Sequence, residues 1–361
     1  MNMMEHSIWL WAGFGAFILF MLSLDLGIFS RKAHTPTYRE AAIWSAVWVS
    51  LAAIFSAIVF GHLGHQKGLE FVSGYLIELS LSVDNLFIFL LIFAFFKVPS
   101  KFQHRVLFWG VIGALVMRIT MIFLGTALIK QFHWLIYIFG AFLVFTGIRM
   151  FSQEETDIQP EANPIVRLVT RFVPITRHYE GEKFFTIENG RRTGTLLLLV
   201  LLIVEVSDLI FAVDSIPAIF GVTTDTFIIY TSNVFAILGL RSLYFLLAGV
   251  VEKFHYLKMG LAVVLTFIGI KMLMPLLVKY LAKALAYAGA SSLASTVAPF
   301  DHIPTGIALA VVAVVLLSSV GASLIWPRHS QRDIDVEQAK GFNPPFENYE
   351  PETEEQEAKV R

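Results

Sequence analysis

The segment VEVSDLIFAVDSIPAIF (204–220) is apolar enough to cross a membrane, yet it carries Glu205, Asp208 and Asp214. Three more acids, Asp25, Glu78 and Asp84, sit in equally apolar surroundings. An aspartate at the centre of a membrane helix costs about 2.5–3.5 kcal/mol on the insertion scale. Six left uncompensated would total roughly 15–20 kcal/mol on that scale. A typical domain is stable by only roughly 5–15 kcal/mol. The acids must therefore be protonated, paired with a cation, or turned to a wet cavity. Only Arg118, Arg241 and Lys271 lie deep enough to pair with them. Six against three leaves a surplus of three negative charges if all ionise, fewer if some are protonated. A bound divalent cation would satisfy what remains.

Spacing supports convergence. Glu78, Ser82 and Asn85 fall at i, i+4 and i+7, one stripe of one helix. Glu205, Asp208 and Ser215 make a comparable stripe, with Asp214 beside Ser215. Pro217 removes a backbone hydrogen bond, so the helix is expected to kink or break there and to free a carbonyl near Asp214. The equivalent place in the other stripe holds Phe87, so that break would be one-sided. Carboxylate, amide, hydroxyl and carbonyl oxygens are hard ligands that suit Mg, Ca or Mn, and composition does not choose among these. The candidate cation ligands are Asp84, Asp214, Glu78, Asp208, Glu205, Asp25, Asn85 and Ser215. Asn85 and Ser215 suit helix-to-helix hydrogen bonds equally well. Asp25, near the end of its span, is able to reach interfacial water. Arg118 and Arg241 read as structural counter-ions ahead of gating groups. His133 and His255 begin their helices and are expected to be structural. The absence of Cys excludes disulfides, thiolate metal sites and cysteine nucleophiles.

The elements that would position these residues are helices. Of 361 residues 56% are hydrophobic and only 15% charged, against about a quarter charged in a soluble domain. Nine apolar runs, roughly 7–29, 41–61, 69–96, 104–128, 132–151, 194–221, 226–251, 255–280 and 304–326, each suffice to cross a hydrocarbon core of about 30 Å. The fold class is all-α, a polytopic membrane helix bundle. Its 33 Phe read as lipid-facing bulk. Loops after spans 1, 3, 5 and 7 hold fifteen Lys and Arg and the opposite loops four (Lys67, Lys130, Lys279 and Lys283). That bias puts the N-terminus outside and the C-terminus in the cytoplasm. The first span reads as a signal anchor, since its basic pair Arg31-Lys32 follows the apolar run. Residues 1–68 give two N-terminal spans and 152–193 a cytoplasmic loop. Within that loop 164–179 would lie on the membrane surface or form an ordinary basic loop. Residues 281–326 hold the last span, and 327–361 form a disordered acidic tail.

The chain repeats itself. ELSLSVDNLFIFL (78–90) aligns without a gap on DLIFAVDSIPAIF (208–220), pairing Glu78 with Asp208, Asp84 with Asp214 and Asn85 with Ser215. QFHWLIYIFGAFLVFTGIRM (131–150) aligns on KFHYLKMGLAVVLTFIGIKM (253–272), and Arg118 corresponds to Arg241. Residues 69–151 and 194–280 (spans 3–5 and 6–8) are thus two copies of a three-helix unit. Three being odd, the second copy enters the membrane from the other side, an inverted repeat as found in transporters with midplane sites.

At these residues the sequence resembles the TerC/Alx family of integral membrane proteins. The resemblance rests on LDLGIFSRKAH (24–34), YLIELSLSVDNLFIF (75–89), LFWGVIGALVMR (107–118), FAVDSIPAIF (211–220) and SNVFAILGLRSLYF (232–245). It covers all nine expected spans and is strongest to the Alx-type branch. It implies a manganese exporter of the bacterial inner membrane, with links to manganese homeostasis, metal loading of exported enzymes, tellurite resistance and alkaline pH. The family's intramembrane acids would fall on Asp25, Glu78, Asp84, Asp208 and Asp214. Glu205 enters from helix spacing alone.

The expectation is a transporter that moves Mn²⁺ outward through the carboxylate site by alternating access. Protons are the natural counter-ion, because crowded carboxylates repel one another and titrate near neutrality. Mn²⁺ and protons are substrates and lipid the surroundings. Neither a prosthetic group nor nucleic acid is expected. An intramembrane aspartyl protease built on Asp84 and Asp214 is the enzyme alternative, but the GxGD context is absent, so no enzyme is expected. A non-transporting partner in metal delivery or stress response is the other alternative.

Overall fold

The computed structural model describes residues 8–29, 37–152, 175–176, 179–188, 191–247, 255–287 and 302–325. Most of the expected surface segment 164–179 and the whole tail 327–361 lie outside the described residues. Five helices come first: α1 (Ile8–Phe29), α2 (Tyr38–Leu63), α3 (His65–Phe95), α4 (Ser100–Gln131) and α5 (Leu135–Ser152). A hairpin of β1 (Phe185–Glu188) and β2 (Arg191–Gly194) precedes α6 (Leu196–Phe220), α7 (Thr226–Leu238), α8 (Leu240–Leu247), α9 (His255–Tyr287) and α10 (Thr305–Ile325). Seven helical segments among the described residues are long and apolar enough to cross a membrane, and α7 with α8 counts as one of them. Ile8–Met21 and Leu135–Phe151 are apolar but shorter.

Local chemistry sets the boundaries. Thr37 and Glu40 form a reciprocal capping box that starts α2. Asp225 caps α7, accepting from the N–H groups of Phe227 and Ile228. Two expectations need correcting. The helix does not break at Pro217: α6 continues to Phe220, because the proline lies within its last turn. The seventh run breaks instead at Gly239, one residue before α8 and two before Arg241. The basic loop also contains a feature not anticipated, the antiparallel hairpin pairing Phe185 with Gly194 and Glu188 with Arg191.

The α7–α8 segment is innermost, with 89% of its apolar window buried against 17% for α10. Around it α3 packs on α2, α6 and α7, α4 packs on α6 and α7, and α5 lies along α9. The phenylalanines are not only lipid-facing. Phe14, Phe71, Phe227 and Phe235 are buried together, and Phe55 joins them with its ring 5.0 Å from that of Phe235. At the other end Phe89, Phe93, Phe102 and Tyr244 form an apolar plug with Leu197 and Val200.

Helices whose sequences align run antiparallel. Lys67 at the start of α3 is 2.9 Å from Asp225, just beyond the end of α6. Tyr244 near the end of α8 donates to Gln103 near the start of α4 at 3.0 Å. In the α5–α9 pair, a methyl group at Gly147 would lie 2.8 Å from the Ala262 carbonyl. One at Gly269 would lie 2.6 Å from the Gly140 carbonyl. These two contacts exchange under the alignment, in which Gly147 matches Gly269 and Gly140 matches Ala262.

Candidate functional site

The α3 stripe meets three other helices in the bundle interior. Glu78, Ser82 and Asn85 face inward and are 1–3% exposed. Arg118 of α4 forms a hydrogen-bonded ion pair with Glu78. Its Nη1 also donates to Asn233 Oδ1 of α7 at 3.0 Å, and Nη2 stands 3.7 Å from Asp208 Oδ1 of α6. Asn85 Nδ2 donates to the same Asp208 oxygen at 3.4 Å, and Ser82 Oγ donates to Glu78 Oε1 at 3.4 Å. One guanidinium thus serves two buried carboxylates. The delocalised fork of arginine suits that sharing better than an ammonium would.

The arrangement leaves capacity unused. Asp208 Oδ2 is buried and has no hydrogen-bond partner among the described residues, and Ser215 Oγ is in the same position. A buried polar atom without a partner is destabilising unless something else satisfies it. Asp208 also lines a small cavity with Glu205, Arg241, Gly110, Val111 and Ala114. Small residues of α4 make the room. At Gly113 a side chain would overlap the Glu205 carboxylate.

Asp214 lies apart from this cluster, half-buried against α5, where Thr146 Oγ1 donates to its Oδ1 at 3.3 Å. Six residues separate it from Asp208, which turns it to another face of α6. Asp84 and Asp25 lie on α3 and α1, but their side chains fall outside the described residues. Lys271 donates to the Gly221 carbonyl at 3.1 Å rather than to an inner acid. Among the described residues no three His, Asp or Glu side chains form a group that could hold a metal ion. The structure therefore brings together Glu78, Asn85, Asp208 and Arg118, sets Glu205 and Arg241 beside them, and leaves Asp214 out.

Sequence reasoning missed Asn233, Thr146 and the α4 glycines. Asn233 carries a signal of its own, an amide in an apolar run.

Comparison with known proteins agrees with this architecture. The family model for the integral membrane protein TerC family matches residues 63–331. A Myxococcus xanthus protein, "Uncharacterized membrane protein STKORF319", is 51% identical over 89% of this chain and 93% of its own length. The Salmonella typhi protein named "Putative membrane-bound redox modulator Alx" is 47% identical over 90% of this chain and 96% of its own length. Its namesake in Escherichia coli strain K12 is 47% identical over 85% and 92%. No solved structure matches. A buried acid and arginine cluster in a helical membrane bundle, with a family match over most of the chain, gives the assignment: the chain belongs to the TerC family of integral membrane proteins.

Proposed function

We propose that this protein exports Mn²⁺ across the bacterial inner membrane, with Asp208 at the centre of the transit site. The observation that carries the reading is the buried, unpartnered Asp208 Oδ2 beside a cavity that Glu205 and Arg241 also line. A carboxylate oxygen in that position is able to accept a cation. Glu78, held by Arg118, fixes Asp208 through the shared guanidinium. Asn85 orients it, acting as a helix-to-helix donor. Glu205 is the second carboxylate at the cavity, and Asp214, Asp84, Ser215 and Asp25 are stations along the path.

Alternating access would rock spans 3–5 against spans 6–8 in a nine-span bundle with the N-terminus outside. The antiparallel course of matched helices and the exchangeable Gly147 and Gly269 contacts support an inverted repeat. Displacing the cation leaves crowded carboxylates that take up protons, so each outward cation would be exchanged for inward protons.

The relatives named as redox modulators suggest a second role. This chain has no Cys and hence no thiol couple of its own. A redox effect would follow from the metal supply it controls.

The test is flux. Purified protein in vesicles holding a manganese-sensitive dye and a pH dye should move Mn²⁺ and shift internal pH together. Asp208→Asn should abolish both. Equal flux in that variant would remove Asp208 from the site, and flux without a pH change would remove proton exchange.

A further inference from the structure

A second polar cluster, at the start of α3, lies outside the site just described. Lys67 Nζ stands 3.0 Å from Glu70 Oε2 and 2.9 Å from Asp225 Oδ2. Both acids are buried, Glu70 at 8% and Asp225 at 4% exposure. Thr223 Oγ1 donates to Glu70 Oε2 at 2.6 Å. Gln66 Nε2 donates to Glu70 Oε1 at 3.3 Å and to Thr305 Oγ1 at 2.7 Å. Asp225 divides its oxygens: Oδ1 caps α7 and Oδ2 takes the ammonium. Lys67 therefore ties the first turn of α3 to the first turn of α7.

Beneath this tie the same two helices meet closely. A methyl group on Gly74 of α3 would lie 2.8 Å from Ser232 Oγ of α7. A hydrated cation is wider than a methyl group, so this seam is too tight for one. Glu78 lies four residues past Gly74, about 6 Å along the helix axis. Asn233, the next residue after Ser232, contacts Arg118. A cation moving along this seam, between the inner cluster and this end of the bundle, would require α3 and α7 to part. An ionic link across their tips runs through Lys67.

We propose that Lys67, bridging Glu70 and Asp225, is the latch of the gate at this end of the bundle, the outer end by the charge bias of the loops. It rests on the transport reading above and adds the gating group to it. An ammonium between two carboxylates holds the seam shut without blocking it permanently. Opening replaces one tethered cation by water on all three groups.

The chain has no cysteine, so a single Ser232→Cys substitution reports seam opening through labelling by a membrane-impermeant methanethiosulfonate reagent. Lys67→Met cuts the latch. Asp225→Asn cuts it too, while keeping the cap, since asparagine caps helices as well as aspartate. Each should speed labelling about tenfold, a population shift of about 1.4 kcal/mol, and Lys67→Arg should leave it slow. Manganese flux is measured on the same vesicles and thermal unfolding on the same preparations. Unchanged labelling in Asp225→Asn, with unfolding matching the parent, overturns the latch whatever the flux. Labelling that responds while no variant carries flux keeps the latch and overturns the transport reading. If Lys67→Met fails to fold, Asp225→Asn decides.

Discussion

Arg118 touches two buried carboxylates, so its loss is worse than the loss of either acid. In Arg118→Met, Glu78 and Asp208 face a low-dielectric interior without their shared cation. The expected destabilisation is roughly 3–5 kcal/mol, the range for breaking a buried pair from one side. Thermal unfolding in detergent measures it. Adding Glu78→Gln and Asp208→Asn removes the stranded charges and should recover most of the loss. Without that recovery, Arg118 acts by packing and not by charge. Gly113→Ala makes a different test, because the nearest atoms to the new methyl group are the flexible end of Glu205. Stability should change little. The apparent affinity for Mn²⁺ in flux should weaken roughly 10–100-fold, as for a displaced supporting group at a metal site. The stripe of Glu78, Ser82 and Asn85 was legible from a period of 3.6, and Asp208 from its match to Glu78. That Arg118 serves both acids was not legible, since nothing in the spacing of α4 says which neighbours it meets.

Helix existence followed from length and hydropathy, and the described helices overlap the apolar runs, with α9 extending past its run to Tyr287. Breaks were harder. Proline at 217 suggested one, but a proline in a helix's last turn has little helix left to disturb. The interruption at Gly239 falls at a glycine, the weakest helix former after proline, and Trp48 lies beside it. The aromatic cluster around Phe235 was hidden, because composition cannot separate a phenylalanine facing lipid from one facing another ring. Close approach of α5 and α9 yields a sharper prediction. At Gly147 and Gly269 an added methyl group would press on rigid backbone of the facing helix. Gly147→Ala and Gly269→Ala should each cost about 1–3 kcal/mol, as overpacking does. Gly15→Ala on α1, with open space around it, should be neutral or stabilising by up to about 1 kcal/mol. Thermal unfolding of the three variants checks this. Costs at 147 and 269 that differ widely would count against the repeat's symmetry.

Direction belongs to the whole molecule. The α2–α3 turn, the 221–225 turn and the start of α10 share one end of the bundle, joined through Lys67, Gln66 and Thr223. The α3–α4 turn and the hairpin share the other, joined by Tyr179 to the Phe96 carbonyl at 2.8 Å and by Arg105 to Glu182 at 3.4 Å. Geometry fixes which turns go together but not which side of the membrane they face. Only the segregation of Lys and Arg speaks to that, so sequence and structure each supply half of the topology. Single cysteines at exposed positions test the combination. His62→Cys and Thr224→Cys should react with an impermeant thiol reagent applied outside intact cells. Lys101→Cys and Ile187→Cys should react only after the membrane is opened. If one pair split between the two sides, the shared ends described here would be wrong. If both pairs reversed together, the bundle would stand but its orientation would invert. The gate at Lys67 would then face the cytoplasm.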